Sequence, residues 1–106
     1  MEKLFAYGSL QNEDIQKDLF GRILEGTPEK LIGYVVKQIQ IEEEFGIVNY
    51  PIITQTENQE NTINGMVYEI STKELHQSDL YEGLHYKRVE VQLQSKQKAW
   101  AYSAVI

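Results

Sequence analysis

Apolar and polar residues alternate with a two-residue period over much of this chain, the pattern of strands covered on one face by a core. The clearest case is 88–94, where Val89, Val91 and Leu93 share one face and Arg88, Glu90, Gln92 and Gln94 the other. In 62–70, Ile63 precedes Asn64-Gly65, and Met66, Tyr68 and Ile70 then alternate with Val67 and Glu69. Residues 30–41 are rich in β-branched and aromatic side chains, with Ile39 and Ile41 set against Gln38 and Gln40, and 47–54 fits another strand. Lys3-Leu4-Phe5-Ala6-Tyr7 is instead a short apolar run ended by Gly8, which suits a buried strand reaching a tight turn. After the polar turn Ser95 to Lys98, a last strand over 99–106 carries Trp100 and Tyr102 and is expected to pair with 88–94 as a hairpin.

Two segments break the alternation with helical signals. Asn12 can cap a short helix that gathers Ile15, Leu19 and Phe20 on one side, with Glu13 and Asp14 well placed in its first turn. Ser71-Thr72-Lys73-Glu74 matches a capping box, in which the Ser hydroxyl and the Glu carboxylate satisfy each other's free backbone donors. This second helix should run to about Leu80 and stop near Gly83. Six or so strands with two short helices predict an α+β fold, mainly β. At this length a closed or nearly closed small barrel removes exposed edges most economically.

Composition narrows the function. The chain has 106 residues, enough for a single domain over 1–106, and 16 acidic against 10 basic side chains give a net charge of −6. Without a cluster of Lys and Arg it lacks the field that phosphate backbones and anionic membranes select, so neither nucleic acid nor a membrane is an expected partner. It has no Cys, which excludes disulfides, thiolate metal sites and a cysteine nucleophile. Met1-Glu2-Lys3 leads straight into the first apolar run, without the layout of a signal peptide, and a cytoplasmic location is expected. Glu42-Glu43-Glu44 and the polar run from Gln55 to Asn61 read as solvated turns.

Two places can carry chemistry. In Tyr7-Gly8-Ser9-Leu10, a glycine free to adopt unusual backbone angles would let the N–H groups of Gly8, Ser9 and Leu10 converge on a carboxylate or an oxyanion. An ordinary turn is the commoner reading of such a tetrapeptide taken alone. Glu82 sits just before Gly83, at the negative end of the second helix and among Leu80, Tyr81 and Leu84. Both the dipole and apolar surroundings disfavour a charged carboxyl and lift its pKa toward the range useful for proton transfer, unless Glu82 is exposed at a frayed helix end. His76 and His85, nine positions apart with no further ligand spacing, read as polar surface rather than metal ligands, and the seven Tyr mostly as packing.

Taken together, four pieces resemble the gamma-glutamylcyclotransferase-like family, including its gamma-glutamylamine cyclotransferase branch. They are Phe5-Ala6-Tyr7-Gly8-Ser9-Leu10, Asn49-Tyr50-Pro51, Asn64-Gly65-Met66-Val67-Tyr68-Glu69-Ile70, and Asp79-Leu80-Tyr81-Glu82-Gly83-Leu84-His85-Tyr86-Lys87-Arg88. The first and last are the specific ones, and together the four span nearly the whole chain. The resemblance implies a small mixed β-barrel with short helices around it, a Tyr7 to Leu10 loop that binds a gamma-glutamyl group, and Glu82 as acid/base. It also implies conversion of a gamma-glutamyl amide into 5-oxoproline and a free amine or amino acid, without metal or organic cofactor.

In that reaction the substrate's own α-amine is a tethered nucleophile, so one carboxyl can serve as base and then acid. The amides of Gly8 to Leu10 and the Ser9 hydroxyl would hold either the α-carboxylate or the developing oxyanion. Tyr86 would line the pocket, Tyr7 would line it or pack beneath the loop, and Arg88 falls on the polar face of its strand. The chain is short for the family, and Ser78 stands where an apolar residue is expected. A non-catalytic barrel that binds a carboxylate or amide through the same loop is the alternative, and an interaction domain with a vestigial pocket a third. The expected assembly is a monomer or weak homodimer.

Overall fold

The computed structural model of the protein describes residues 1–104. Within them the chain forms β1 (Glu2–Ala6), α1 (Glu13–Phe20), β2 (Gly26–Ile32), β3 (Tyr34–Glu43), β4 (Gly46–Gln55), β5 (Thr62–Ile70), α2 (Thr72–Glu82), β6 (Tyr86–Gln92) and β7 (Lys98–Ala104), with a 3₁₀ turn over Ser9–Gln11. The fold is α+β and mainly β, as the periodicity predicts, and β6 and β7 form the expected hairpin. The last two positions of the strand read over 99–106 lie outside the described residues.

One strand assignment is refined. The single strand read over 30–41 is two, because the buried Gly33 turns the chain at φ +81°, a conformation that favours glycine. That turn is held by its N–H on the Asn61 carbonyl at 2.8 Å and by the Thr56 N–H on its own carbonyl at 2.7 Å. After the turn, β3 pairs with β4 as a separate two-stranded ribbon, leaving a five-stranded sheet in the order β2-β5-β1-β7-β6. This sheet curls until its outer strands approach at the Leu31–Leu93 bridge, where the Gln94 N–H donates to the Lys30 carbonyl at 2.9 Å. One bridge is too short to complete a ladder, so the strands make an open, barrel-like curl rather than a closed barrel.

β1 is the central strand, antiparallel to β5 and parallel to β7. Both its faces are covered, which explains its unbroken apolar run. Phe5 packs inside the curl with Leu31, Ile53, Ile63, Val91 and Ala101. Leu4 and Ala6 face the helices, with Leu10, Leu24, Ile70, Leu75 and Tyr102. The alternation in β6 and the residue after it puts Val91 and Leu93 in the inner cluster with Val89 packed against it.

The helix caps form as the sequence predicts. Asn12 Oδ1 accepts the N–H groups of Asp14 and Ile15 at 2.9 and 3.1 Å. Ser71 and Glu74 make the reciprocal capping box, and Arg22 donates to both oxygens of Glu74 at 2.9 and 2.8 Å. That pairing, with the box, holds the Glu74 carboxyl down at about 2. Gln16 is a buried polar residue the pattern did not mark: its amide donates to the Leu10 carbonyl at 2.8 Å and accepts the Leu24 N–H at 2.9 Å. It ties the turn after β1 to the chain beyond α1.

Gly65 sits where β5 crosses β1 with no room for a side chain. A Cβ there would lie 2.5 Å from the Ala6 carbonyl oxygen and 2.7 Å from the Phe5 ring. Gly65→Ala is therefore expected to destabilise the fold by about 1–3 kcal/mol through overpacking against backbone. Urea denaturation checks this, and an unchanged midpoint would contradict the tight crossing.

Candidate active site

β1 delivers Tyr7 and the Gly8-Ser9-Leu10 turn to one end of the sheet, and α2 brings Glu82 to the same end as its last helical residue. Gly83 then breaks the helix at φ +80°. Between them lies a cavity of about 330 Å³, walled by Phe5, Ala6, Tyr7, Gly8, Ser9, Leu10, Tyr50, Pro51, Tyr81, Glu82, Tyr86 and Tyr102. All six residues singled out from the sequence (Tyr7, Gly8, Ser9, Leu10, Glu82 and Tyr86) stand on this wall, although 75 positions separate the turn's Tyr7 from Glu82.

Glu82 is the ionisable carboxyl of the cavity. Burial, without a paired charge or hydrogen bond among the described residues, lifts it from 4.5 to about 7. It is not exposed at a frayed end. Tyr7, Tyr86 and Tyr102 surround it as phenols whose own ionisation is suppressed, first by burial and further by nearby groups that include Glu82. They remain neutral hydroxyls at any physiological pH, Tyr86 being pushed up to about 12.

Each phenol is fixed by a hydrogen bond. Tyr7 donates to the Tyr102 carbonyl at 2.6 Å and Tyr86 to the Pro51 carbonyl at 2.6 Å. The second bond fastens the β3–β4 ribbon to the rest of the wall and places Tyr50, whose ring lies 6.3 Å from that of Tyr86 and 5.3 Å from that of His85. Ser9 Oγ shares a 2.7 Å hydrogen bond with the Tyr81 hydroxyl across the turn and α2. His76 is exposed on α2, and among the described residues no group of three or more His, Cys, Asp or Glu is disposed to hold a metal ion.

Gly8 takes φ −132° and ψ −140°, outside the regular helical, extended and left-handed regions, and a Cβ on it would meet nothing within 4 Å. The 3₁₀ geometry over Ser9–Gln11 follows, leaving the Ser9 and Leu10 N–H groups at the start of a helical turn where no intrahelical acceptor exists. Tyr81, Tyr50 and Tyr102 are wall residues that sequence reasoning took as packing. Adjacency to Glu82 was the signal for Tyr81, and the Tyr-Pro step after Asn49 for Tyr50.

Residues 4–105 match the family described as gamma-glutamyl cyclotransferase, AIG2-like. The chain belongs to this family. No curated protein matches it. Among solved structures it is similar to At3g28950.1 from Arabidopsis thaliana, with a TM-score of 0.78 and 25% identity over 98% of this chain and 62% of that one. At5g39720.1 from the same plant gives 0.73 and 24%, covering 98% and 68%. A structure titled gamma-glutamyl cyclotransferase gives 0.71 and 17%, covering 98% and 66%, a likeness of fold. The family member described here thus spans about two thirds of the length of each.

Because the folded protein holds the Glu82 proton to about 7 and the unfolded chain releases it near 4.5, the folded state binds more protons between these values. Stability from this group is complete below about pH 4.5 and is lost as pH rises through about 7. Glu82→Gln has no proton to lose. It should therefore match the parent at low pH and become the more stable protein above about pH 7. Denaturant titrations across this range check the difference, and equal stability at pH 8 would mean that the carboxylate is well hydrated.

Proposed function

We propose that this protein is a cyclotransferase that converts a gamma-glutamyl amide, of an amine or an amino acid, into 5-oxoproline and the free amine. The observation that carries the proposal is the buried carboxyl of Glu82, unpaired among the described residues, on one cavity wall with the Gly8-Ser9-Leu10 turn. Membership of the family and the fold shared with a gamma-glutamyl cyclotransferase support the reaction class.

The geometry fits the demands of the chemistry. The substrate's neutral α-amine attacks its own γ-carbonyl carbon, forming the ring C–N bond as a tetrahedral intermediate. Ionised Glu82 takes the proton released by that amine. The protonated carboxyl then gives it to the leaving nitrogen as the original amide C–N bond breaks, and the carboxylate is regenerated. A carboxyl with a pKa near 7 suits both transfers, since each form is well populated at neutral pH. The nucleophile is already tethered, so holding a folded-back conformer is the cavity's main task, and the aromatic wall supplies the shape. The free amides of Ser9 and Leu10 offer donors for the α-carboxylate or the oxyanion, as does the Ser9 hydroxyl when it accepts from Tyr81 and keeps its own proton available.

The decisive experiment incubates the protein with gamma-glutamyl amino acids, gamma-glutamyl amines and glutathione and measures 5-oxoproline. Turnover is expected with at least one of them, with an acid limb in kcat/KM near pH 7 and a loss of roughly 10²-fold or more in Glu82→Gln. A fully active Glu82→Gln protein would exclude the assigned role. Ligand-induced thermal stabilisation without product, unchanged in Glu82→Gln, would instead establish a binding protein.

A further inference from the structure

The Tyr-x-Arg pair of the sequence is only half used by the cavity: Tyr86 lines it and Arg88 does not. Alternation puts Arg88 on the polar face of β6, yet its side chain is only 24% exposed. Its guanidinium lies over the Trp100 ring, 4.5 Å from the centroid, and Nε donates to Asp79 Oδ1 at 3.0 Å. The same oxygen accepts the Tyr102 hydroxyl at 2.7 Å. One bond from β6 and one from β7 thus converge on the side chain of α2 that stands one turn before Glu82. The Asp79 carbonyl also accepts the Gly83 N–H at 3.2 Å, closing the final turn, and the Tyr102 carbonyl receives the Tyr7 hydroxyl at 2.6 Å, extending the network to the turn after β1.

Among the described residues Glu82 has no hydrogen-bonding partner of its own, so where its carboxyl stands is decided by the seating of that turn. We propose that Asp79 is a positioning residue, clamped by Arg88 and Tyr102, that fixes the last turn of α2 and with it the place of Glu82 in the cavity. The importance of that place rests on the cyclotransferase reading; the clamp does not. The groups facing Glu82 from neighbouring elements are phenols, Tyr7 after β1, Tyr86 of β6 and Tyr102 of β7.

Arg88→Gln and Tyr102→Phe each remove one bond while leaving Asp79 in place, and ¹³C-carboxyl NMR titration of Glu82 on the full chain reads the result. A released turn lets water reach the carboxyl, so the midpoint should fall by about one pH unit in both variants. A through-space charge effect has the opposite sign in Arg88→Gln, because removing a cation raises a carboxyl's midpoint, and is absent in Tyr102→Phe. With a turned-over substrate, kcat should drop about tenfold or more while KM stays within about threefold, and the acid limb should move with the NMR midpoint. An unmoved or raised midpoint in the folded variants, with only a lower Tm, would overturn the clamp; if Arg88→Gln does not fold, Tyr102→Phe decides by the same criterion. A parent protein without turnover whose midpoint still falls in the variants keeps the clamp and removes the proposed reaction, whereas turnover with unmoved midpoints does the reverse.

Discussion

The double burial of β1 is the constraint on which the other elements depend. A strand of five residues contributes Leu4 and Ala6 to the helix side of the sheet and Phe5 to the interior of the curl, so neither cluster is complete without it. Its two neighbours differ in direction, β5 antiparallel and β7 parallel, and a parallel neighbour requires the chain to return from elsewhere. β1 is therefore enclosed by segments from the far half of the chain, which also bring α2 and Glu82. The exit of β1, where Tyr7 and the Ser9–Gln11 turn begin, opens onto the cavity. One strand thus joins core to site.

Burying Glu82 without a partner works against stability, and the surrounding structure shows how it is kept. A lone carboxylate in apolar surroundings has two escapes, hydration or protonation. The aromatic wall and the seating of α2 restrict the first, so the second prevails up to about pH 7. Other acidic groups of the same helix are treated oppositely. Glu74, at the first turn, accepts two bonds from Arg22 and one from the Ser71 N–H, and is held at about 2. Asp79 receives a guanidinium and a phenol on one oxygen. Along eleven residues the carboxyls pass from capped, to clamped, to bare.

How much of this could be read from the sequence depended on whether each signal was local. The β5 and β6 alternations, the Asn12 cap and the capping box are written in neighbouring residues and appear as read. Gly33 was passed over because β-branched and aromatic residues continue on both sides of it, and only the pairing of β2 with β5 and of β3 with β4 shows that they are different strands. The same nonlocality hid the opening of the barrel, since strand count does not state which strands share a ladder. The six residues singled out by their motifs lie together on one cavity wall, while Tyr50, Tyr81 and Tyr102 on the same wall carry only the general signature of aromatic packing. Ser78 looked out of place for want of an apolar side chain. It is fully buried with its hydroxyl on the Glu74 carbonyl at 2.9 Å, a helical back-bond that satisfies a polar group too small to disturb the packing.

Arg88 shows why a polar face read from alternation is not the same as a solvent face. The outward side of β6 is covered locally by α2, so a residue there meets a helix instead of water. A long cation can be accommodated in that gap if its stem packs and its head finds an anion, and Trp100 and Asp79 supply these two conditions. Lys would keep the charge but lose the planar surface that stacks on the indole and the Nε donor directed at Oδ1. The sequence encodes the covering helix and the covered cation in one short stretch, Asp79 to Arg88, with Glu82 between them. The catalytic candidate and two members of its support thus lie within ten residues, and β7 completes the clamp from a distance through Trp100 and Tyr102.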